Sequence, residues 1–343
     1  MDRHWLRITD IIGPIGFGLS IFSNSILFFL IFQKSSPIIG TYRNLLIFFC
    51  LFTMFYSSVE IFLKPLIHIY DDTLWLIYQK RLDVSPEVSR LFPTTYCGCY
   101  AMSFNLFALQ FVFRYVATCK PKLLQYFLGC KLFLWLFAIS FIAVTWQVSA
   151  YVFFPKSQRT EKSFQFLLMD SYGLTTGEMD YVPYKYFYYD EEKVKRVNML
   201  SFMGILQHGL VITFSFGTLF YCGIRTFIKI RTHSGISSKT RELQLQLFRA
   251  LVAQTFIPMI FMYIPIGFMF SCPYFDLQLG AVTNYQTVMA QLYPGVDPCV
   301  LLFLIDAYRN AIIKIFLPKG FYKVSCTSAG PTSFVYSNTA VVF

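Results

Sequence analysis

A bundle of seven membrane-spanning helices, amino terminus outside and carboxyl terminus inside, is the all-α fold class that this sequence predicts. Three observations predict it. The 343 residues are 56% hydrophobic and 20% aromatic but only 14% charged, with a mean hydropathy of +0.53. Ordinary soluble domains carry about 25% charged residues, and one soluble core would strain to bury 40 phenylalanines. Apolar runs of membrane-crossing length recur along the chain, and the basic residues gather in alternate connecting loops.

A bilayer core about 30 Å thick takes about 20 residues of helix at about 1.5 Å each. Seven runs qualify. The first, residues 11–32, is uncharged. It follows Arg3 and Arg7 but is too long for a signal-peptide core and lacks a cleavage site, so it reads as a retained span. The second, residues 45–69, is interrupted by Glu60 and Lys64, spaced for an i,i+4 ion pair. The third, residues 93–113, stops in "QFVFRYVATCKPK", where Arg114-Tyr115 leads into a basic, proline-containing loop. The fourth covers residues 132–154. The fifth, residues 198–224, carries Gln207-His208 in its outer half. The sixth, residues 250–270, holds Pro258 and Pro265, and the seventh, residues 283–305, holds Asp297. Residues 1–316 thus form one membrane domain, followed by a polar tail, 317–343, with the composition of a disordered segment.

Charge sets the orientation. The loops 33–44, 114–131 and 225–249 and the tail together hold sixteen Lys and Arg against two acids, Glu242 and Asp306. The amino terminus and the loops 70–92, 155–197 and 271–282 hold twelve against fourteen acids. Lys and Arg collect on the cytoplasmic side. The net charge of +11 is therefore a topology signal, and a nucleic-acid partner is excluded.

The nine cysteines are odd in number and mostly inside apolar runs, so neither a disulfide scaffold nor a zinc site is expected. His4, His68, His208 and His233 lie at mismatched depths and supply no catalytic or metal cluster. No cofactor is expected, and the chain does not read as an enzyme.

Several polar residues inside the spans call for partners. A carboxylate at mid-membrane costs roughly 2.5–3.5 kcal/mol on insertion scales, so Asp297 should face the bundle interior. Asn24 lies at similar depth in the first span and Thr53 in the second, which predicts an interior polar site of Asn24, Asp297 and Pro298 if the first and seventh spans adjoin. A static interhelical hydrogen bond is the plainer alternative. Pro258 and Pro265, seven residues apart, fall on one face of the sixth span and predict a hinge, although prolines are also common in membrane helices. The tyrosine-rich stretch Tyr181–Arg196 is either an interfacial aromatic collar or a lid over a pocket.

Seven spans, an outer amino terminus and Arg114-Tyr115 at the inner end of the third span resemble a G-protein-coupled receptor. The acid that usually precedes the arginine is replaced by Phe113. The stretches "LQLQLFRALVAQTFIPMIFMYIPIGFMF" (243–270) and "YPGVDPCVLLFLIDAYRNAI" (293–312) narrow the likeness to the nematode Str chemoreceptors. The resemblance implies a receptor in the plasma membrane, in the sensory cilium of a chemosensory neuron. It would detect a small volatile or water-soluble chemical and activate a heterotrimeric G protein. It also implies roles. Arg114, Tyr115, Glu242 and Arg249 would form the inner switch, with Glu242 pairing to Arg114 in the resting state. Tyr263, two residues before Pro265, would stand for the aromatic of a Trp-x-Pro motif below the pocket. Gln207, His208 and Tyr263 would touch ligand. The tail Ser and Thr residues, from Ser325 to Thr339, would be phosphorylated and recruit arrestin, and Val341-Val342-Phe343 would suit a PDZ groove. Asp297-Pro298 takes the place of the usual Asn-Pro, and Leu301 stands where a tyrosine is expected. The usual disulfide from the second outer loop is ruled out, because residues 155–197 contain no cysteine; a bond from Cys97 or Cys99 to Cys272 is the alternative.

Two other seven-span readings compete. An odorant-gated ion channel of the inverted type would place the amino terminus inside, against the charge count, and a small-molecule transporter would show duplicated halves, which are absent. An opsin is excluded because residues 283–305 contain no lysine for a retinal Schiff base. Tags at the amino terminus and in the 155–197 loop should be labelled on intact cells, and a carboxyl-terminal tag only after permeabilisation. The reverse pattern would overturn the orientation.

Overall fold

The structure, a computed structural model, describes residues 2–34, 42–192, 194–232 and 238–316. The tail 317–343, with its phosphorylation and PDZ candidates, lies outside the described residues, as does His233.

Among the described residues, seven helices are long and apolar enough to cross a membrane. They are α1 (Arg3–Lys34), α2 (Tyr42–Leu63), α3 (Pro86–Cys119), α4 (Lys131–Val152), α6 (Met199–Thr232), a sixth span made of α7 (Ser238–Pro258) and α8 (Ile264–Ser271), and α9 (Asn284–Leu304). Between the fourth and fifth spans lies a short outer helix, α5 (Gln158–Leu167), and α10 (Asp306–Phe316) follows the seventh after the extended Ile305. The third span is the axis: 94% of its apolar window is buried, against 22% for the fifth. Large side chains such as Phe133, Phe137 and Phe214 are exposed on the outer spans, as expected where hydrocarbon replaces water as the surrounding medium.

The second span departs from expectation. Its helix stops at Leu63, because Lys64 takes a left-handed conformation (φ 46°). The apolar run then continues as strand β1 (Leu66–Tyr70), paired antiparallel with β2 (Thr73–Gln79), which pairs in turn with β3 (Met179–Lys185). The expected Glu60–Lys64 ion pair does not form, since the helical register is broken between them. Lys64 pairs with Asp10 of α1, and Glu60 is buried without a hydrogen-bond partner among the described residues.

This three-stranded sheet caps the bundle from outside, and both of its faces are apolar. Ile67, Leu74, Leu76 and Tyr184 belong to the bundle core. Their strand neighbours Leu66, Trp75, Ile77 and Tyr181 pack with Phe164 and Leu167 of α5 in a second, smaller core. The alternation follows from the two-residue period of a strand. Helix α5 starts from a Ser157 cap reciprocated by Thr160 and ends in a π-helical turn, Leu168–Tyr172, closed by Gly173 at φ 63°. Tyr172 then pins the cap to the bundle: its hydroxyl accepts from Asn284 of α9 (3.0 Å) and lies 3.1 Å from His68 Nδ1 on β1. Burial pushes the His68 imidazole down to about 4, so the ring is neutral and its Nδ1 can accept the tyrosine proton. A hairpin of β4 (Phe187–Tyr189) and β5 (Lys195–Val197) adds a second clasp. Lys195 bridges Asp276 after α8 (2.6 Å) and Asp72 in the β1–β2 turn (2.9 Å), and these partners hold its ammonium above the usual range. Of the two readings of Tyr181–Arg196, its first part lies in the lid.

The disulfide alternative does not occur: Cys97, Cys99 and Cys272 are all free thiols. The second outer loop is tied down instead by strand pairing with β2, by Tyr184 against Cys97 Sγ of α3 (3.5 Å) and by Lys195 on Asp276.

The first and seventh spans lie very close together. A Cβ built on Gly16 would sit 2.2 Å from the Gln291 carbonyl oxygen, and one on Gly295 would sit 2.7 Å from Leu19. Such contacts need the small residues that let membrane helices approach. Gly16→Ala should therefore destabilise the bundle by at least the 1–3 kcal/mol typical of overpacking, roughly, and sharply reduce surface expression. Gly18→Ala, with open space around the new methyl, should leave expression unchanged. Equal expression of both variants would refute the close packing.

Candidate functional site: outer cavity, polar seam and inner end

Beneath the lid lies a cavity of about 50 Å³. Its roof is Ile67, Leu74, Leu76 and Tyr184 of the sheet. Its walls are Tyr96, Cys97 and Tyr100 of α3, Trp146 of α4, Ile266 and Phe270 of α8, and Gln286 of α9. The helical contributors are spaced one turn apart (96 and 100, 266 and 270), as one face of a helix requires. A wider cleft of about 400 Å³ opens on the outer side of the lid near Lys162 and Gln278. It faces solvent, whereas the inner cavity has the apolar lining expected of a small-molecule site.

The three residues expected to touch ligand lie just beyond this cavity. His208 is buried and stacks on Trp146, ring centroids 4.1 Å apart and nearly parallel, so Trp146 takes the wall position expected of His208. Gln207 turns toward the fourth span and donates to Thr145 (3.3 Å). Tyr263 lies below the floor, its hydroxyl donating to Ser103 (3.0 Å) and its ring against Phe104 at 4.3 Å. The lining of this cavity escapes a reading of the sequence because Tyr96, Trp146 and Phe270 sit among dozens of other aromatics, and because roof residue Ile67 lies in a strand that the apolar pattern assigns to a helix end.

Between Pro258 and Pro265 the sixth span changes winding. Met259–Tyr263 forms a π-helical turn, and the Tyr100 hydroxyl donates to Met262 O within it (2.9 Å). Both prolines therefore bound a real irregularity of the helix, the structural form that a hinge takes.

The interior polar residues assemble, though not in the expected pairs. Pro298 has no amide proton to give Pro294 O, its partner one helical turn earlier. That carbonyl accepts instead from Asn24 Nδ2 (3.0 Å). Asn24 Oδ1 accepts in turn from Thr53 (2.8 Å), and Ser23 donates to Gly295 O (2.8 Å). Spans one, two and seven are joined there. Asp297 does not bond to Asn24. Its Oδ2 accepts from Gln254 of α7 (2.8 Å), tying the seventh span to the sixth.

At the inner end the expected Arg114–Glu242 pair is absent among the described residues. Glu242 is exposed. Arg114 is buried rather than snorkelling, its guanidinium 3.8 Å from the centre of the Tyr42 ring on α2, and Tyr42 donates to Gln110 Oε1 (3.0 Å). Stacking on an aromatic face suits a planar, weakly hydrated cation. Tyr115 lies against Tyr221 of α6, and Arg249 is exposed. The sixth span is instead held at its inner end by Gln246, which donates to Asp306 of α10 (2.6 Å), an acid also paired with Arg309.

A family profile described as serpentine type 7TM GPCR chemoreceptor Str matches residues 9–313. The chain is 36% identical to serpentine receptor class r-10 of Caenorhabditis briggsae over 313 residues, 91% of each chain. It is 36% identical to the protein of the same name from Caenorhabditis elegans, covering 92% of this chain and 93% of that one. G-protein coupled receptor str-33 of C. elegans is 23% identical over 89% of this chain and 90% of its own length. Among solved structures, squid rhodopsin superposes with a TM-score of 0.52 at 12% identity, over 92% of this chain and 86% of that one, a likeness of fold.

Asp306→Asn should raise ligand-free signalling. A hydrogen bond to a charged group is worth about 1.5–3 kcal/mol, and partial exposure cuts this to about 1 kcal/mol here. That is about a fivefold rise in the active-to-resting ratio. Glu242→Gln should leave basal activity unchanged. The opposite ranking, measured at matched surface expression, would restore Glu242 as the restraint.

Proposed function

Because the chain belongs to the serpentine type seven-transmembrane chemoreceptor family Str, we propose that it detects a small external chemical in the cavity beneath the lid and activates a heterotrimeric G protein inside. The single observation that supports this most is the cavity itself, lined by the sheet and by spans three, four, six and seven.

Two of its walls, Ile266 and Phe270, stand on the outer segment of the sixth span, past Pro265 and the π turn. A ligand that packs better when α8 shifts inward favours an arrangement in which α7 swings away below the turn. Only such a difference in affinity between the two arrangements drives the switch. A tenfold preference, about 1.4 kcal/mol, changes their ratio tenfold. Outward movement of α7 opens a cleft beside Arg114 and Tyr115 for the G protein. The chain is a multi-pass membrane protein, and on this reading it works in the plasma membrane of a sensory cilium. Arrestin would meet the phosphorylated tail.

The test is a screen of small volatile and water-soluble compounds on cells expressing the receptor, read as calcium or cyclic nucleotide. A saturable response lost on inactivating the G protein is the expected result. A ligand-evoked current that persists without G protein would overturn it in favour of a channel.

A further inference from the structure

We propose that the cavity selects a small, mainly apolar molecule that carries a hydrogen-bond donor, an O–H or N–H received by the side-chain oxygen of Gln286. This rests on the reading of the cavity as the ligand site and adds the chemical class of the ligand.

Apart from a few polar atoms, the cavity is walled by aromatic and aliphatic groups, so the specificity lies in which of those atoms remain uncommitted. The Tyr100 hydroxyl gives its only proton to Met262 O (2.9 Å). It can then only accept from Gln286, which fixes the Gln286 amide with its nitrogen toward Tyr100 (3.3 Å). The other end of that amide, Oε1, is buried with no partner among the described residues, and Gln286 is 1% exposed. The Tyr184 hydroxyl is engaged with the Cys97 sulfur at 3.5 Å. The Tyr96 hydroxyl lies within interaction range of Tyr56 and Glu60. Neither of those groups borders the cavity, so the Tyr96 hydroxyl has partners elsewhere.

What the cavity leaves open is therefore an acceptor. A buried acceptor left unpaired loses its hydration without compensation. A ligand that brings a proton satisfies it. A ketone, ether or hydrocarbon of the same shape leaves it orphaned, and sites built around such a group reject the analogue lacking it far more strongly than they reject a missing methylene. The cavity of about 50 Å³ limits the ligand to a short carbon skeleton.

The experiment uses the purified full-length receptor and a matched set of very small probes: propan-2-ol, acetone and isopropylamine, which share one skeleton. Binding is read from the rise in unfolding temperature with concentration. The alcohol should bind about tenfold tighter than the ketone, and Gln286→Met should erase that difference. Equal or tighter binding of the ketone, or no binding by any probe, overturns the proposal. So does tightest binding by the amine with the preference lost in Glu60→Gln and kept in Gln286→Met, which would make Glu60 the anchor. The cavity-filling variant Cys97→Phe separates the two levels of the argument. A cellular response to ketones that Cys97→Phe abolishes keeps the cavity as the site and removes only the donor requirement. A response to any ligand that survives Cys97→Phe removes the cavity reading itself.

Discussion

One missing amide proton organises the middle of this bundle. Pro298 cannot bond to Pro294 O, and in a medium without water a free carbonyl must find another donor. Asn24 supplies it, and the close approach of α1 and α9 at Gly16 and Gly295 makes that reach possible. Thr53 then satisfies the remaining oxygen of Asn24, which fixes the second span to the first. On the adjoining residue, Asp297 turns to the other neighbour and takes the Gln254 proton from the sixth. One turn of the seventh span thus sets the positions of three others, through polar bonds that have no competing water.

The outer end is held by a different kind of force. The lid has no disulfide and buries apolar side chains on both faces of a three-stranded sheet, one row on the cavity and one on α5. Each face is worth about 25 cal/mol per Å² of apolar surface removed from water. The lid's polar ties to the bundle include the neutral His68 and Asn284 on the Tyr172 hydroxyl, the Ile67 amide on Asn284 Oδ1, Arg3 on Tyr172 O, and Lys195 between two acids. The roof thus covers the cavity with apolar side chains, and beneath such a cover a single unmatched polar atom would discriminate more strongly than at an open surface.

Much of this is legible in the amino-acid sequence. The number of spans rests on hydrocarbon length, and depth matching along the chain puts Asn24, Thr53 and Asp297 in one layer. Pro258 and Pro265 mark the winding defect between them. What stays hidden has physical reasons. Leu66–Tyr70 is apolar on both faces, so it shows no alternation and reads as the end of a helix. Pro65 does mark the break, because the residue before a proline avoids the helical region, but prolines are common in membrane helices and do not by themselves end a span. The lid's small core joins residues a hundred positions apart, from Leu66 to Phe164 and Tyr181, which local patterning cannot pair. Arg114 reads as a charge seeking either water or an acid. Its partner is an aromatic face on α2, and one tyrosine among 23 gives no sign of serving a cation.

The sixth span is where these parts meet. Above the π turn, Ile266 and Phe270 line the cavity. At the turn, the Tyr100 hydroxyl from the third span holds Met262 O, and Tyr263 bonds to Ser103 of the same helix. Below it, Gln254 is held by Asp297 and Gln246 by Asp306. Above the turn the cavity-lining side chains meet apolar neighbours and the Tyr186 hydroxyl donates to Phe270 O (2.8 Å), whereas below it the ties of Gln254 and Gln246 are side-chain hydrogen bonds. The π turn lies between two gaps in the helical hydrogen-bond ladder, since Pro265 withholds an amide proton from a carbonyl of the turn and Pro258 withholds one from the turn before it. On the proposed reading, a molecule in the cavity would displace α8 at Ile266 and Phe270, and the bonds of Gln254 and Gln246 below the turn would be kept or lost as the inner face stays closed or opens.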